Sequence, residues 1–286
     1  MKLPTAQITT GQAISDGDTA THSDSNFPLI IGHRGASSVA PENTLAAFER
    51  ALQDGADGIE FDVRLARDGV PVVIHDATLK RTAQLDAQIA SLSSSVLAAT
   101  DVGSWFNRRF PARAHAGFER ETVPTLSRVF EIIAPRCRLL YVELKCVADE
   151  MKALVEKVVA AVRANGLERR VVIESFSLAA ITEVKRIAPE LRTAAAFERR
   201  IGRPLLTTRT LLRCARECHA DELALGRSLV SRHTVEAAHA CGLQTVVWTV
   251  DHPSWVKRAS ALGLRAIITN DPAKMCAALD EFRQRS

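Results

Sequence analysis

From Phe27 onward, short apolar runs alternate with longer stretches whose apolar residues recur at helical spacing. The short runs lie at 28–32, 57–63, 139–145, 170–174, 192–197, 222–225, 243–249 and 265–269. Most are nearly continuous in apolar residues, as expected of strands buried on both faces of a parallel sheet. Between them, residues 42–54 place Leu45, Phe48 and Leu52 on one helical face, and residues 149–164 do the same with Met151, Leu154, Val155, Val158 and Val162. The stretches 177–188, 232–241, 253–262 and 271–284 behave likewise. Eight strands with intervening helices over ~260 residues predict an α/β chain folded as a (β/α)8 TIM barrel, for which ~250 residues is typical. A doubly wound open sheet is the competing architecture.

One interval breaks the alternation. Some sixty residues separate the run at 57–63 from the helix expected near 125–134. They begin with another β-run, Pro71 to His75, only Arg67-Asp68-Gly69 beyond the preceding strand region. That spacing is too short for a parallel crossover and suits a hairpin turning at Asp68-Gly69. Such a hairpin is expected to bring His75 back opposite Asp62. The remainder, about 76–122, reads as a small insertion after the second strand, over the active face of the barrel.

Composition narrows the class without naming a chemistry. The 286 residues are 47% hydrophobic and 24% charged, which excludes a mainly disordered chain. No apolar stretch approaches the ~20 residues of a membrane helix, so no stable membrane insertion is expected. Residues 1–26 are rich in Ser and Thr, have no apolar core of a signal peptide, and read as a flexible tail ahead of one domain at 27–286. The six cysteines form no C-x-x-C pair and read as reduced thiols of a cytoplasmic protein. The net charge of +4 is compatible with anionic substrates but too scattered for nucleic-acid binding.

The polar residues at the strand ends change the picture. In a parallel barrel, functional groups project from the C-terminal ends of strands. Here those ends carry His33-Arg34, Glu60-Phe61-Asp62 and Glu143-Leu144-Lys145, and the hairpin adds His75-Asp76. Alternation puts Glu60 and Asp62 on one side, and Glu143 and Lys145 on one side. Three carboxylates at one mouth repel unless a cation joins them, and all-oxygen ligation suits Mg²⁺, Ca²⁺ or Mn²⁺ better than Zn²⁺. Arg34 and Lys145 beside that cation make a cage for a phosphoryl group. His33 and His75 can act as acid and base near neutral pH. Each residue taken singly has a structural explanation, such as a strand-end ion pair. Their conjunction on successive strands points to metal-assisted phosphodiester cleavage by a histidine pair.

At these residues the sequence resembles the glycerophosphodiester phosphodiesterase family. The resemblance rests on HRGASSVAPENTLAAFERAL at 33–52, GADGIEFDVRLARDGVPVVIHDATLKRT at 55–82, VPTL at 123–126, VELK at 142–145, ESF at 174–176, GLQTVVWTV at 242–250 and AIITNDP at 266–272. It covers residue 29 to about 284 and implies a cytosolic bacterial-type enzyme of glycerol and lipid metabolism. The implied reaction is hydrolysis of a glycerophosphodiester to sn-glycerol 3-phosphate and an alcohol, with a divalent cation. By motif position, His33 and His75 are the implied acid–base pair, Glu60, Asp62 and Glu143 the metal ligands, and Arg34 and Lys145 the phosphate-binding groups. In the family scheme the glycerol 2-hydroxyl can attack phosphorus before water opens a cyclic phosphate.

Around this set, Trp248 is either an apolar wall for glycerol or barrel core, and Phe176 is a candidate second wall. Asn43 or Thr44 can cap the helix that follows, while Glu42 serves either that cap or the orientation of His33 or Arg34. The chain departs from the family pattern at Ala66, where Thr is frequent, and at Asn270, where Asp is common. Two other readings remain at this stage. One is phospholipase D-like or lyase activity on lysophospholipid or sphingolipid phosphodiesters. The other is a non-catalytic anion-binding barrel, which needs neither histidine.

Overall fold

A computed structural model describes residues 27–199 and 206–285. The expected tail at 1–26 lies outside the described residues. Among the described residues, eight parallel strands close into a barrel: β1 (Leu29–His33), β2 (Gly58–Leu65), β4 (Leu139–Leu144), β5 (Val171–Ser175), β6 (Arg192–Phe197), β7 (Glu222–Gly226), β8 (Gln244–Trp248) and β9 (Ala266–Thr269). Pairing of β1 with both β2 and β9 closes the ring and rules out the open sheet. A short ninth strand, β3 (Pro71–Val73), runs antiparallel to β2.

The apolar strand runs are buried on both sides, as their composition predicts. Outward residues such as Phe61, Val142 and Ile173 pack under the helices, and inward ones such as Ile31, Tyr141, Val172 and Ile268 fill the barrel. The Tyr141 ring is accommodated among the small inward residues Ala194, Ala196 and Ala224 of β6 and β7. At the N-terminal end of the barrel, buried Glu222 accepts from Tyr141 Oη at 2.8 Å and pairs with Arg192 and Arg265, so this carboxylate has its counter-charges.

The helices follow the predicted spacing, with starts up to three residues later. Leu45–Gln53 begins at an N-cap Thr44, whose hydroxyl accepts from Ala47 N, and Met151–Ala164 buries Leu154, Val155, Val158, Val159 and Val162. The helix Thr208–Glu217 was absent from the apolar pattern, because only Leu211 and Ala215 of its ten residues are buried.

The hairpin forms at the expected turn, where Gly69 takes φ +73°. Its register differs from expectation. Val63 pairs with Val73, and Ile74 N donates to Asp62 O at 2.9 Å, so Ile74 rather than His75 stands opposite Asp62. Ala66 N donates to Val70 O at 3.0 Å, so the turn is centred on Asp68 and not between Asp68 and Gly69, which moves the pairing by one residue. The ladder stops at Val73, and the bend that follows carries His75 to the barrel mouth. Beyond it, residues 76–122 contain short helices at Lys80–Ala83, Ser94–Leu97 and Ser104–Arg109. Leu79, Ile89, Leu97, Val102 and Val123 pack there on Val72 and Ile74 as a separate small core.

Gly58 shows how tightly the second strand enters the ring. A Cβ there would lie 1.8 Å from Leu139 O in the neighbouring strand. Gly58→Ala is expected to destabilise the fold by ~1–3 kcal/mol through forced separation of β2 and β4. Chemical denaturation measures this, and an unchanged midpoint would contradict the packing described.

Candidate active site

The C-terminal strand ends surround a cavity of about 500 Å³. His33, Arg34, Glu60, His75, Glu143, Lys145, Phe176 and Trp248 all line it. Asp62, fully buried, lies just behind them. All nine residues singled out in the sequence therefore meet at one mouth. The strand register explains this: His33 is level with Glu60, and Asp62, Glu143 and Glu174 are level across three adjacent strands.

The loop after β1 is strained into place. Arg34 and Gly35 take φ values of +55° and +82°, and Arg34 N donates to Glu60 Oε2 at 3.0 Å. A Cβ at residue 35 would lie 2.5 Å from Ala47 carbonyl carbon, so only glycine fits. Asn43, also left-handed at φ +57°, donates from Nδ2 to Asp62 Oδ2 at 2.7 Å. Thus Thr44 caps the helix and Asn43 holds the carboxylate, which separates the two roles left open in the sequence.

Glu60, Asp62 and Glu143 each offer an oxygen within 4.8 Å of the others. Their electrostatics are unequal. Burial, then repulsion by Asp62 and Glu143, pushes Glu60 well above the usual carboxylate range. Burial and Asp62 push Glu143 up to about 7. Burial would raise Asp62 as well, but Arg34 and Lys145 outweigh it and hold that carboxyl well below its ordinary value. Arg34 Nε lies 3.1 Å from Asp62 Oδ2, and Lys145 Nζ lies 3.1 Å from Asp62 Oδ1 and 2.6 Å from Glu143 Oε1. Two cations thus serve an acidic cluster they do not neutralise. An all-oxygen donor set with repelling, proton-loaded carboxylates fits a hard divalent cation.

The two imidazoles are held alike. His33 Nδ1 is 2.7 Å from Asn270 Oδ1, and His75 Nδ1 is 2.7 Å from Asp76 Oδ1. Both partner oxygens can only accept, so each Nδ1 carries the hydrogen and each Nε2 is left for the cavity. Burial, reinforced by Arg34, lowers His33 to about 4. Burial also lowers His75, against the pull of Asp62. Phe176 and Trp248 meet edge to face at 5.4 Å between ring centroids, forming one apolar wall.

Several contributors escaped the sequence reading. Glu174 lines the cavity, is buried, and has an Oε2 without a hydrogen bond. Burial and the neighbouring Glu143 push it well above the usual range. Its signal was available, since a carboxylate two residues before Phe176 repeats the strand-end parity of Glu143 and Lys145. Asn270 was noted only as a departure. It is itself fixed by Asp251, which accepts from its Nδ2 at 2.9 Å. Glu42, given two roles in the sequence, accepts from Arg34 Nη1 at 2.9 Å.

The sequence pattern of the Glycerophosphoryl diester phosphodiesterase family matches residues 33–274. A glycerophosphodiester phosphodiesterase of Caldanaerobacter subterraneus subsp. tengcongensis is 34% identical over 244 residues, 85% of this chain and 94% of that protein. Among solved structures, an Oleispira antarctica phosphodiesterase in complex with the product sn-glycerol-3-phosphate superposes with a TM-score of 0.78 at 27% identity. That match covers 89% of this chain and 97% of the other. A glycerophosphodiester phosphodiesterase from Agrobacterium tumefaciens superposes with a TM-score of 0.72 at 30% identity, covering 87% of this chain and 99% of that one.

Proposed function

The chain belongs to the glycerophosphoryl diester phosphodiesterase family, and on that premise we propose that it hydrolyses glycerophosphodiesters to sn-glycerol 3-phosphate and an alcohol with His33 and His75 as an acid–base pair. One observation carries the reading: two imidazoles from separate elements, each held through Nδ1, line a single cavity together with Arg34, Lys145, Glu60 and Glu143.

Glu60, Asp62 and Glu143 would hold a divalent cation, with Mg²⁺, Ca²⁺ and Mn²⁺ the candidates. Such an ion, when bound, polarises a phosphoryl oxygen. Arg34 and Lys145 bind the phosphoryl oxygens, Arg34 through a guanidinium pinned by Asp62 and Glu42. One neutral imidazole takes the proton of the attacking hydroxyl as its oxygen bonds to phosphorus. The other imidazole, protonated, gives its proton to the departing alkoxide as the second P–O bond breaks. Phe176 and Trp248 pack against the carbon face of the glycerol. No helix among the described residues is long and apolar enough to cross a membrane.

A coupled assay for sn-glycerol 3-phosphate, run across glycerophosphocholine, glycerophosphoethanolamine and a lysophospholipid, tests the substrate class. Product is expected from the small glycerophosphodiesters and is expected to vanish with EDTA and return with added divalent cation. Turnover of the lysophospholipid alone would transfer the assignment to the phospholipase D-like reading.

A further inference from the structure

The insertion reaches back to the site through Asp76 and Arg81. Arg81, on the short helix Lys80–Ala83, lines no part of the cavity but makes three charge-assisted hydrogen bonds beside it. Nη1 donates to Glu42 Oε2 at 2.7 Å, Nη2 to Glu42 Oε1 at 2.7 Å, and Nε to Asp76 Oδ2 at 2.6 Å. Glu42 is the group that holds Arg34. The other oxygen of Asp76 is the one that holds His75 Nδ1. A continuous path of alternating charge therefore runs from Asp62 through Arg34, Glu42, Arg81 and Asp76 to His75.

We propose that Arg81 is a positioning residue for the hydrolytic reaction: its guanidinium clamps Asp76 to Glu42 and so fixes His75 in orientation and tautomer relative to Arg34. The inference rests on the acid–base reading of His75. It follows from the bonding capacity of each group. A carboxylate bonded at only one oxygen can rotate; Asp76 is bonded at both, so the imidazole it holds has one plane. The fork on Glu42 and the Nε bond on Asp76 use three donors in fixed planar geometry, which an ammonium cannot reproduce. Trp105 packs 5.7 Å from the Arg81 guanidinium carbon and limits its swing. With the Arg81 side chain 41% exposed, ion pairing of this kind adds little to stability. Its effect should therefore appear in turnover.

Arg81→Met and Arg81→Lys are both expected to lower kcat for glycerophosphocholine about 10- to 100-fold, the usual effect of losing an outer-shell partner. KM should change less than about threefold, because neither Arg34 nor Lys145 is removed. Asp76→Asn should cost a similar factor, and Arg81→Met combined with Asp76→Asn should cost little more than either, since both act through one imidazole. Nitrogen NMR of the His75 ring gives a second readout: the Nδ1–H form should dominate in the parent protein and mix with the other tautomer in Arg81→Met. Full activity in Arg81→Lys, strictly multiplicative losses in the double variant, or an unaltered His75 spectrum would overturn the proposal. His75→Ala separates the two levels. If it remains active, the acid–base reading has failed; if it is inactive while Arg81→Met turns over normally, only the role of Arg81 has.

Discussion

His33→Ala and His75→Ala are each expected to lower kcat by about 10²- to 10⁴-fold, the range general acid–base groups supply. The fold should survive both changes. His33 contacts Asn270, which keeps its bonds to Asp251 and Ser37 when the imidazole is gone. His75 sits in a bend beyond the last ladder pair of β3, so no strand pairing depends on it. Thermal unfolding should therefore stay near that of the parent while steady-state turnover collapses. Because the two imidazoles serve one displacement, the double variant should be little worse than the weaker single one. Near-normal turnover in both single variants would remove the acid–base mechanism.

The second large effect concerns the carboxylate cluster and pH. Glu143 is pushed from its ordinary 4.5 up to about 7, and Glu60 moves in the same direction, chiefly by burial. A carboxyl whose folded value is raised holds its proton more tightly when folded. Its stabilising contribution is thus complete below about pH 4.5 and is lost as pH rises through about 7. The metal-free protein is expected to lose thermal stability across that window, as ionised oxygens come to face one another. Below pH 3.8 the opposite sign appears through Asp62, whose lowered value makes its paired, ionised form stabilising only above that range.

A divalent cation should reverse the loss by taking the place of the protons. At about 100 times its Kd it should add ~2.7 kcal/mol, a rise of several degrees in Tm at pH 8. Its apparent affinity should fall as pH drops below 7, about tenfold per unit for each proton that must leave. Unfolding scans after EDTA treatment, with and without Mg²⁺, Ca²⁺ or Mn²⁺ from pH 5 to 8, measure both effects. A Tm insensitive to all three ions at pH 8 would remove the metal-site assignment.

Much of the barrel could be read locally. Runs such as 139–144 are apolar at nearly every position, because a strand between helices and barrel interior has no wet face. Thr208–Glu217 was missed because its burial falls on two residues, too few for a pattern. The same locality limits the site. Glu174 and Glu222 are each a lone carboxylate in an apolar strand. Glu222 begins β7 and meets two arginines at the closed end of the barrel, whereas Glu174 is near the end of β5 and faces the cavity. Their different surroundings are set by strands far away in the chain.

The sequence by itself determined the alternation of buried strands with helices, the hairpin turn after the second strand, and the nine candidate residues at or near the strand ends, since these depend on apolar runs, turn residues and alternation within a few positions. Closure of the strands into a barrel rests instead on β1 pairing with both β2 and β9. Tertiary structure alone decided the rest. Ile74 replaced His75 opposite Asp62 because the turn closed about Asp68, and the bend after β3 then returned His75 to the mouth. Asn270 reached His33 across 237 positions, and Arg81 reached Glu42 across 39. Such bonds depend on angstrom-level placement of separate elements, and that placement is settled only when the whole ring and its insertion have packed.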